Sequence, residues 1–520
     1  MRTDRRGFLR AFTGALGLLA GGSSPAGAQD RVQEIHRATR NTRFGPVGAL
    51  RPRRLRPQRR SKAYAGAPRV ALPGAEAPQT RALAAVLSDF RAAEGFAAEP
   101  IALAELARLL HFTNGVTGAW GDGEGLQLRA APSAGALYAG EIYVVAERVA
   151  GLDAGVYYYS PLRHDLASIR PGARLAEVWN ALERAGAIEG APAAILLTNV
   201  FARYSGRYAN RGYRYALIDS GHIGENLRLA ARSARLAEVS PLRFHDDRLN
   251  ALLEIDGREE AVCALHVVGR PAPGAPAPRP AARHLAERGR VEPETLPSGG
   301  PAPERYHEAT KLVPAAASQT ARDASASGAA AAHGGAPPDT SVEECILRRR
   351  SAESFAPRPL ARATLDWILQ AAAGHPALTR APGVELMLAA HRVADLAPGL
   401  YRFEARGAGL VPMRSGDLRQ SLVSACVDQE KAGSCGVALF MVARLRAVAA
   451  TGGARGYRDL LLESGAMGQR IYLSAEAAGL AARNLAAFRD DELNDLLALD
   501  GRERAVLHLT AVGYEQPAAG

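Results

Sequence analysis

Three short stretches combine residue types that could do chemistry. Arg203-Tyr204, followed by Arg207 and then Arg211-Gly212-Tyr213-Arg214, sets a phenol among guanidinium groups. A phenol titrates near about 10 and a neighbouring cation draws it lower, so Tyr204 beside Arg203 is a candidate for moving a proton. Arg203 itself keeps its charge and cannot act as a base in practice. Arg348-Arg349-Arg350-Ser351 gathers three cations before a hydroxyl. It reads as the head of a helix, where basic residues are unfavourable unless an anion is bound. Pro132-Ser133-Ala134-Gly135 is a tight small-residue turn running towards Tyr143-Val144-Val145. Such a turn lets backbone N–H groups approach a flat, polar ring without side-chain obstruction. The plain alternatives are a tyrosine and arginines of a surface loop, a solvated basic helix start and an ordinary turn.

The elements that must position these residues come in two copies. Arg211–Arg214 recurs as Arg455–Arg458, Asp246–Asn250 as Asp490–Asn494, Asp256–Arg258 as Asp500–Arg502 and Val268-Gly269 as Val512-Gly513, each 244 positions later. A period this long means duplicated domains rather than a solenoid. A looser echo links Ile35–Arg40 to Tyr306–Lys311, and another links Arg91–Phe96 to Arg350–Phe355. Each copy reads as an early helix (Ala102–Leu110; Ala363–Ala372), then strands (Glu141–Val145, Gly155–Tyr159, Ala193–Thr198; Val437–Ala443). A long helix follows (Tyr215–Arg235; Asp459–Ala478), then a short one (Leu249–Leu253; Leu493–Leu497) and a last strand (Ala261–Val268; Ala505–Val512). Mixed helices and strands of these lengths predict an α+β fold.

The 520 residues allow two or three domains with their own cores. Most of the net charge of +11 is local: residues 1–28 contribute +3 and residues 51–62 contribute +7, leaving +1. The basic segment Arg51–Lys62 carries two prolines and no aromatic residue to stack on a base, so it reads as an extended arm within residues 29–78. No nucleic-acid partner is expected. Four cysteines, Cys263, Cys345, Cys426 and Cys435, do not make a disulfide framework, although Cys426 and Cys435 leave one bridge open. No metal site stands out. Thr3–Arg10, the apolar run Ala11–Ala20 and Ala26-Gly27-Ala28 look like a twin-arginine export signal over residues 1–28 and point to the periplasm. That apolar run is too short for a permanent membrane anchor. Residues 271–340, rich in Pro, Ala, Gly and Ser, read as a linker between domains at 79–270 and 341–515, with a loosely structured lead near 304.

With these motifs the chain resembles the SagB-type dehydrogenases of the nitroreductase superfamily, which are FMN enzymes. The resemblance implies two nitroreductase-like domains packed as an internal pseudo-dimer. In that superfamily an Arg-Arg-Ser start from one protomer and a Pro-Ser turn from the other share the flavin site. Here only the second copy keeps Arg349, Arg350 and Ser351, and only the first keeps Pro132, Ser133, Ala134 and Gly135. One composite site, hence one FMN per chain, is therefore expected. Glu94 and Glu353 stand where the family has a further Arg. Ala237–Arg243 and Gly479–Asn484 depart from the expected phosphate turn, with Arg483 as a substitute contact. Arg203-Tyr204 resembles the Lys-Tyr pair implicated in proton removal, and His222 matches the family's Gly-His. The implied activity is hydride transfer between a small-molecule or peptide substrate and flavin N5, with an unidentified electron acceptor. The alternative is a non-catalytic binding module that has lost flavin.

Overall fold

The computed structural model describes residues 25–42, 60–75, 81–88, 95–120, 126–183, 188, 190–272, 303–312, 338–373, 383–405 and 409–516. Most of the expected export signal, the arm over 51–59 and the Arg91 motif lie outside the described residues.

Each copy is built on an antiparallel sheet. In the first, seven strands run in the order 69–71, 165–171, 155–160, 140–146, 193–200, 260–269 and 237–239. In the second, six run 409–415, 399–404, 384–390, 437–444, 504–513 and 481–484. The last long strand of each copy has a register shift at the same place, between Val262 and Ala264 and opposite Met441/Val442. A bulge kept in both copies is a designed feature of the sheet rather than a defect. Helices cover the sheets, which makes the fold α+β, with two similar domains packed as an internal pseudo-dimer.

The seam lies between Gly212–Ser233 and Leu445–Ala477, the long helices of the two copies. They cross where a side chain cannot fit. A Cβ on Gly221 would overlap the Leu462 carbonyl oxygen, and one on Gly465 would overlap that of Ile218. Glycine at both places lets the backbones touch. Around this crossing Leu217, Ile218, Tyr213 and Cys263 of one copy share a core with Leu460, Leu461, Tyr457 and Leu507 of the other.

Ion pairs swap across the same seam. Arg211 and Arg214 both bind Asp490, the latter at 2.6 Å. In mirror fashion Arg455 and Arg458 bind Asp246 at 2.7 and 2.5 Å. The echoed leads complete each clamp. Thr39 accepts from Arg214 Nε at 2.8 Å, and Thr310 lies 2.7 Å from the Tyr213 hydroxyl. The motifs repeated in the sequence are thus the parts that hold the copies together.

Three expectations change. Pro303–Ala309 is a helix whose His307 is buried in the seam, so the lead near 304 is ordered rather than loose. The arm, expected to be extended, is packed onto the first copy at its far end. There, Lys62 reaches Glu260 and, at 2.7 Å, the Tyr143 hydroxyl, and Arg69–Ala71 joins the sheet edge. Leu445–Ala477 starts earlier than its reading because it includes a break at Gly453, with φ 59°. Cys426 and Cys435 are both free and buried, and burial pushes each thiol up to about 12. Among the described residues no helix is long and apolar enough to cross a membrane, and no cluster suits a metal ion.

Candidate functional site

The seam sets Arg349 of the second copy against residues 129 and 130 of the first, just before the small-residue turn. Arg349 donates from Nε to the Ala130 carbonyl and from Nη2 to that of Arg129, both at 3.0 Å. Ala130 lies three residues before Ser133, just past the strand Leu126–Arg129 that leads into the small-residue turn. Arg350 reaches the Thr117 carbonyl at 3.0 Å in the neighbouring hairpin, where the lack of a side chain on Gly118 admits its guanidinium. Ser351 lies 3.0 Å from the Tyr472 hydroxyl, and Arg349 stacks over the Tyr472 ring at 5.4 Å.

Contrary to expectation, Arg348–Arg350 do not open a helix. Val342–Arg348 is a helix capped at its start by Ser341, with Glu343 and Glu344 in its first turn. Arg348–Arg350 therefore sit at its C-terminal end, where the helix dipole favours cations without any ligand. A different observation points to an anion. Arg211, Arg214, Arg455, Arg458 and Arg203 are buried and each is paired with a carboxylate. Arg349 is 4% exposed, and among the described residues no carboxylate lies within ion-pairing distance of it. Burial first, and the neighbouring Arg350 cation, pull its pKa down from the usual arginine value, while Glu476, beyond ion-pairing distance, opposes them. A buried cation held only by peptide carbonyls and a ring face is costly unless an anion joins it.

Arg483 lies beside this group, since Ser351 bridges to Ala482 on the adjoining strand. Its guanidinium is spent on the Ala352 carbonyl at 2.7 Å and on Glu353 at 3.3 Å. The glutamate that departs from the family pattern thus ties up the arginine expected to compensate.

The turn itself is engaged. Ser133 Oγ accepts from the Tyr138 N–H at 2.9 Å and lies 2.9 Å from the Tyr204 hydroxyl. Ala134 N–H donates to Asp219 at 3.0 Å, and Tyr204 donates to the same carboxylate. Gly135 takes φ 62°, and the space a Cβ would fill there is occupied by the Tyr208 hydroxyl.

Arg203 does not act on Tyr204 as expected. Its guanidinium pairs with buried Glu141 at 2.5 Å and with the Tyr138 carbonyl at 2.6 Å. Burial and the Asp219 carboxylate push the Tyr204 phenol well above its ordinary value rather than below it. His222 bonds Gln469 at 3.0 Å and Asn484 at 2.8 Å, both from the second copy, and burial holds it neutral. It is a seam residue. Asp219 and Tyr208 were not singled out in the sequence. Fifteen positions separate Tyr204 from Asp219, and no local pattern announces that contact.

The donor chemistry of Arg349 and Arg350 fits the phosphate end of a flavin nucleotide. The ring end, as packed here, does not fit. The cleft lined by Asn114, Ser133, Tyr138, Asp219 and Ile223 holds about 170 Å³ even with open solvent counted. Sites for small molecules and cofactors start at roughly 300 Å³. Tyr208 over Gly135 and Asp219 on the Ala134 N–H close the turn.

The comparisons with known proteins agree on the fold. Residues 91–270 and 346–514 each match the Nitroreductase family. The protein named "Putative nitroreductase MJ1384" of Methanocaldococcus jannaschii is 33% identical over 185 residues, 36% of this chain and 89% of that protein. The trifolitoxin-processing protein TfxB of Rhizobium leguminosarum bv. trifolii is 32% identical over 148 residues, 27% of this chain and 39% of its own length. A crystal structure described as a "putative nitroreductase" from Anabaena variabilis superposes with a TM-score of 0.77. At 23% identity, covering 94% of this chain and 99% of that one, it shows that the whole two-copy fold recurs. With both copies matched, the chain belongs to the nitroreductase family, as a tandem of two such domains.

Proposed function

We propose that this chain is an FMN-dependent oxidoreductase with one composite flavin site, the phosphate held by Arg349 and Arg350 and the ring placed at Ser133–Gly135. The observation that carries the reading is Arg349, a buried cation without an acid partner at the point where the copies meet. When bound, flavin would supply the two-electron chemistry at N5. The chain's part is to neutralise the phosphate, to exclude water with the Tyr204, Tyr208 and Tyr215 cluster, and to hold a proton near Ser133. Because Tyr208 covers Gly135, the ring enters only after that side chain moves. The substrate is a small molecule or a peptide, and the electron acceptor is a separate molecule. One relative is named for processing a toxin, which supports keeping the larger substrate class. The export reading of residues 1–28 belongs to the same proposal. It is tested by fractionating cells that make the full chain, and a purely cytoplasmic pool contradicts it.

The closed ring end favours a second reading, a binding module on a nitroreductase frame. One experiment separates the two. The full chain is incubated with FMN, gel-filtered, reduced anaerobically with dithionite and mixed with a benzoquinone or a nitroaromatic. An oxidoreductase retains flavin and reoxidises it faster than free reduced FMN does. Elution without flavin supports the binding module.

A further inference from the structure

We propose that Ser133, Tyr204 and Asp219 form a buried proton relay that opens on the small cleft beside Ser133 in the first copy and stores its proton on Asp219. Its use in a reaction rests on the oxidoreductase reading; the relay itself does not.

The three residues come from three elements: the small-residue turn, the helix Ala202–Tyr208 and the long helix Gly212–Ser233. Directions follow from counting protons. A phenol has one proton, and Tyr204 gives it to Asp219. The 2.9 Å contact between Tyr204 and Ser133 is then made by the serine proton. Ser133 also accepts from the Tyr138 N–H, which leaves one lone pair on the only partly exposed member of the chain. That lone pair borders the cleft that Ser133 and Asp219 help to line.

With Asp219 protonated the order reverses. Asp219 donates to Tyr204, Tyr204 to Ser133, and the serine proton turns into the cleft. A proton leaving a substrate group for Ser133 Oγ therefore displaces the serine proton onto Tyr204 and the phenolic proton onto Asp219. Only O–H bonds and the one substrate–H bond change. The products are a deprotonated substrate and a neutral Asp219 acid, so no oxidant is needed. Tyr204 is neutral before and after, and its raised pKa is no obstacle.

Asp219 is suited to store a proton because it lacks a cation. Asp246 and Asp490 each bind two arginines, whereas among the described residues no Arg, Lys or His lies within ion-pairing distance of Asp219. Burial lifts its pKa to about 6, against the pull of Tyr204, the Ala134 N–H and the Ser133 hydroxyl. The groups around it are Tyr204, Tyr208 and Arg207 from the short helix, Ser133 and the Ala134 N–H from the turn, and Tyr215 and His222 a turn away on its own helix. The second copy has no such relay. Its counterpart residue, Glu463, pairs with Arg470 at 3.2 Å.

The test is infrared titration of the full chain between pH 4 and 8, in the Asp459→Asn background because burial also lifts Asp459 to about 6. A protonated-carboxyl band should titrate near pH 6 and disappear in Asp219→Asn. Tyr204→Phe removes a donor to the carboxylate, so the midpoint should rise by about one unit. A band that survives Asp219→Asn, or a midpoint unmoved by Tyr204→Phe, overturns the relay. If the band behaves as expected in a chain that retains no FMN, the relay stands and the flavin reading falls. If it is absent from a flavin-loaded chain, only the relay fails.

Discussion

At the scale of single residues, partners decide what each charged group can do. Arg203 and Arg349 are both buried, but Glu141 pairs with the first, whereas among the described residues no carboxylate pairs directly with the second. The sequence showed both arginines and could not show this difference, because Glu141 and Ala130 meet them through the fold. The turn Pro132–Gly135 and the triplet before Ser351 were legible as chemistry. The helix start assigned to Arg348–Arg350 was not, since Ser341 caps a helix that ends there. Tyr208 gives a direct prediction. It covers Gly135, so Tyr208→Ala should remove a cost of opening and tighten FMN binding by roughly tenfold, or about 1.4 kcal/mol. Fluorescence titration of the two proteins measures this, and weaker binding by the variant would count against a closed ring site.

At the scale of elements, alternation and periodicity located the strands 140–146, 155–160, 193–200, 260–269, 437–444 and 504–513 to within a few residues, and left strands such as 384–390 and 399–404 unread. Ala193–Val200 and Val437–Arg444 extend the expected strands by two residues and one. Contacts between copies were hidden, because no local pattern shows that Gly221 and Gly465 face backbone rather than space. The crossing makes them intolerant of a methyl group. Gly221→Ala should lower stability by about 1–3 kcal/mol or more, the range for overpacking a close-packed site. The double variant with Gly465→Ala should cost less than the sum of the singles, since one shift of the helices relieves both clashes. Urea denaturation of the three variants checks both statements, and strict additivity contradicts a shared crossing.

At the scale of the molecule, the repeated Arg-Gly-Tyr-Arg and Asp-Asp motifs form two reciprocal clamps rather than two active sites. Their pairing partner lies in the other copy, which explains why a repeat so visible in sequence said little about its role. The arginines hold Asp246 and Asp490 below the usual carboxylate range. The stability these groups contribute is therefore complete above about pH 4 and is lost as pH falls further. Asp219 and Asp459, lifted to about 6, act in the opposite sense and lower stability as pH rises from about 4 to 6. Asp490→Asn leaves Arg211 and Arg214 buried without a counter-charge and should cost about 3–5 kcal/mol. It should also flatten the acid limb of a thermal-midpoint profile. A variant as acid-sensitive as the parent would show that the clamp does not hold the seam.

The central claim, that two unequal copies make one anion-binding site at their seam, is tested most directly by counting flavin. The full chain, saturated with FMN and freed of excess, should release one flavin per chain on denaturation. Arg349→Gln should release almost none while keeping a folded, cooperative melt. A ratio near two, or full retention by Arg349→Gln, would contradict a single composite site at the seam.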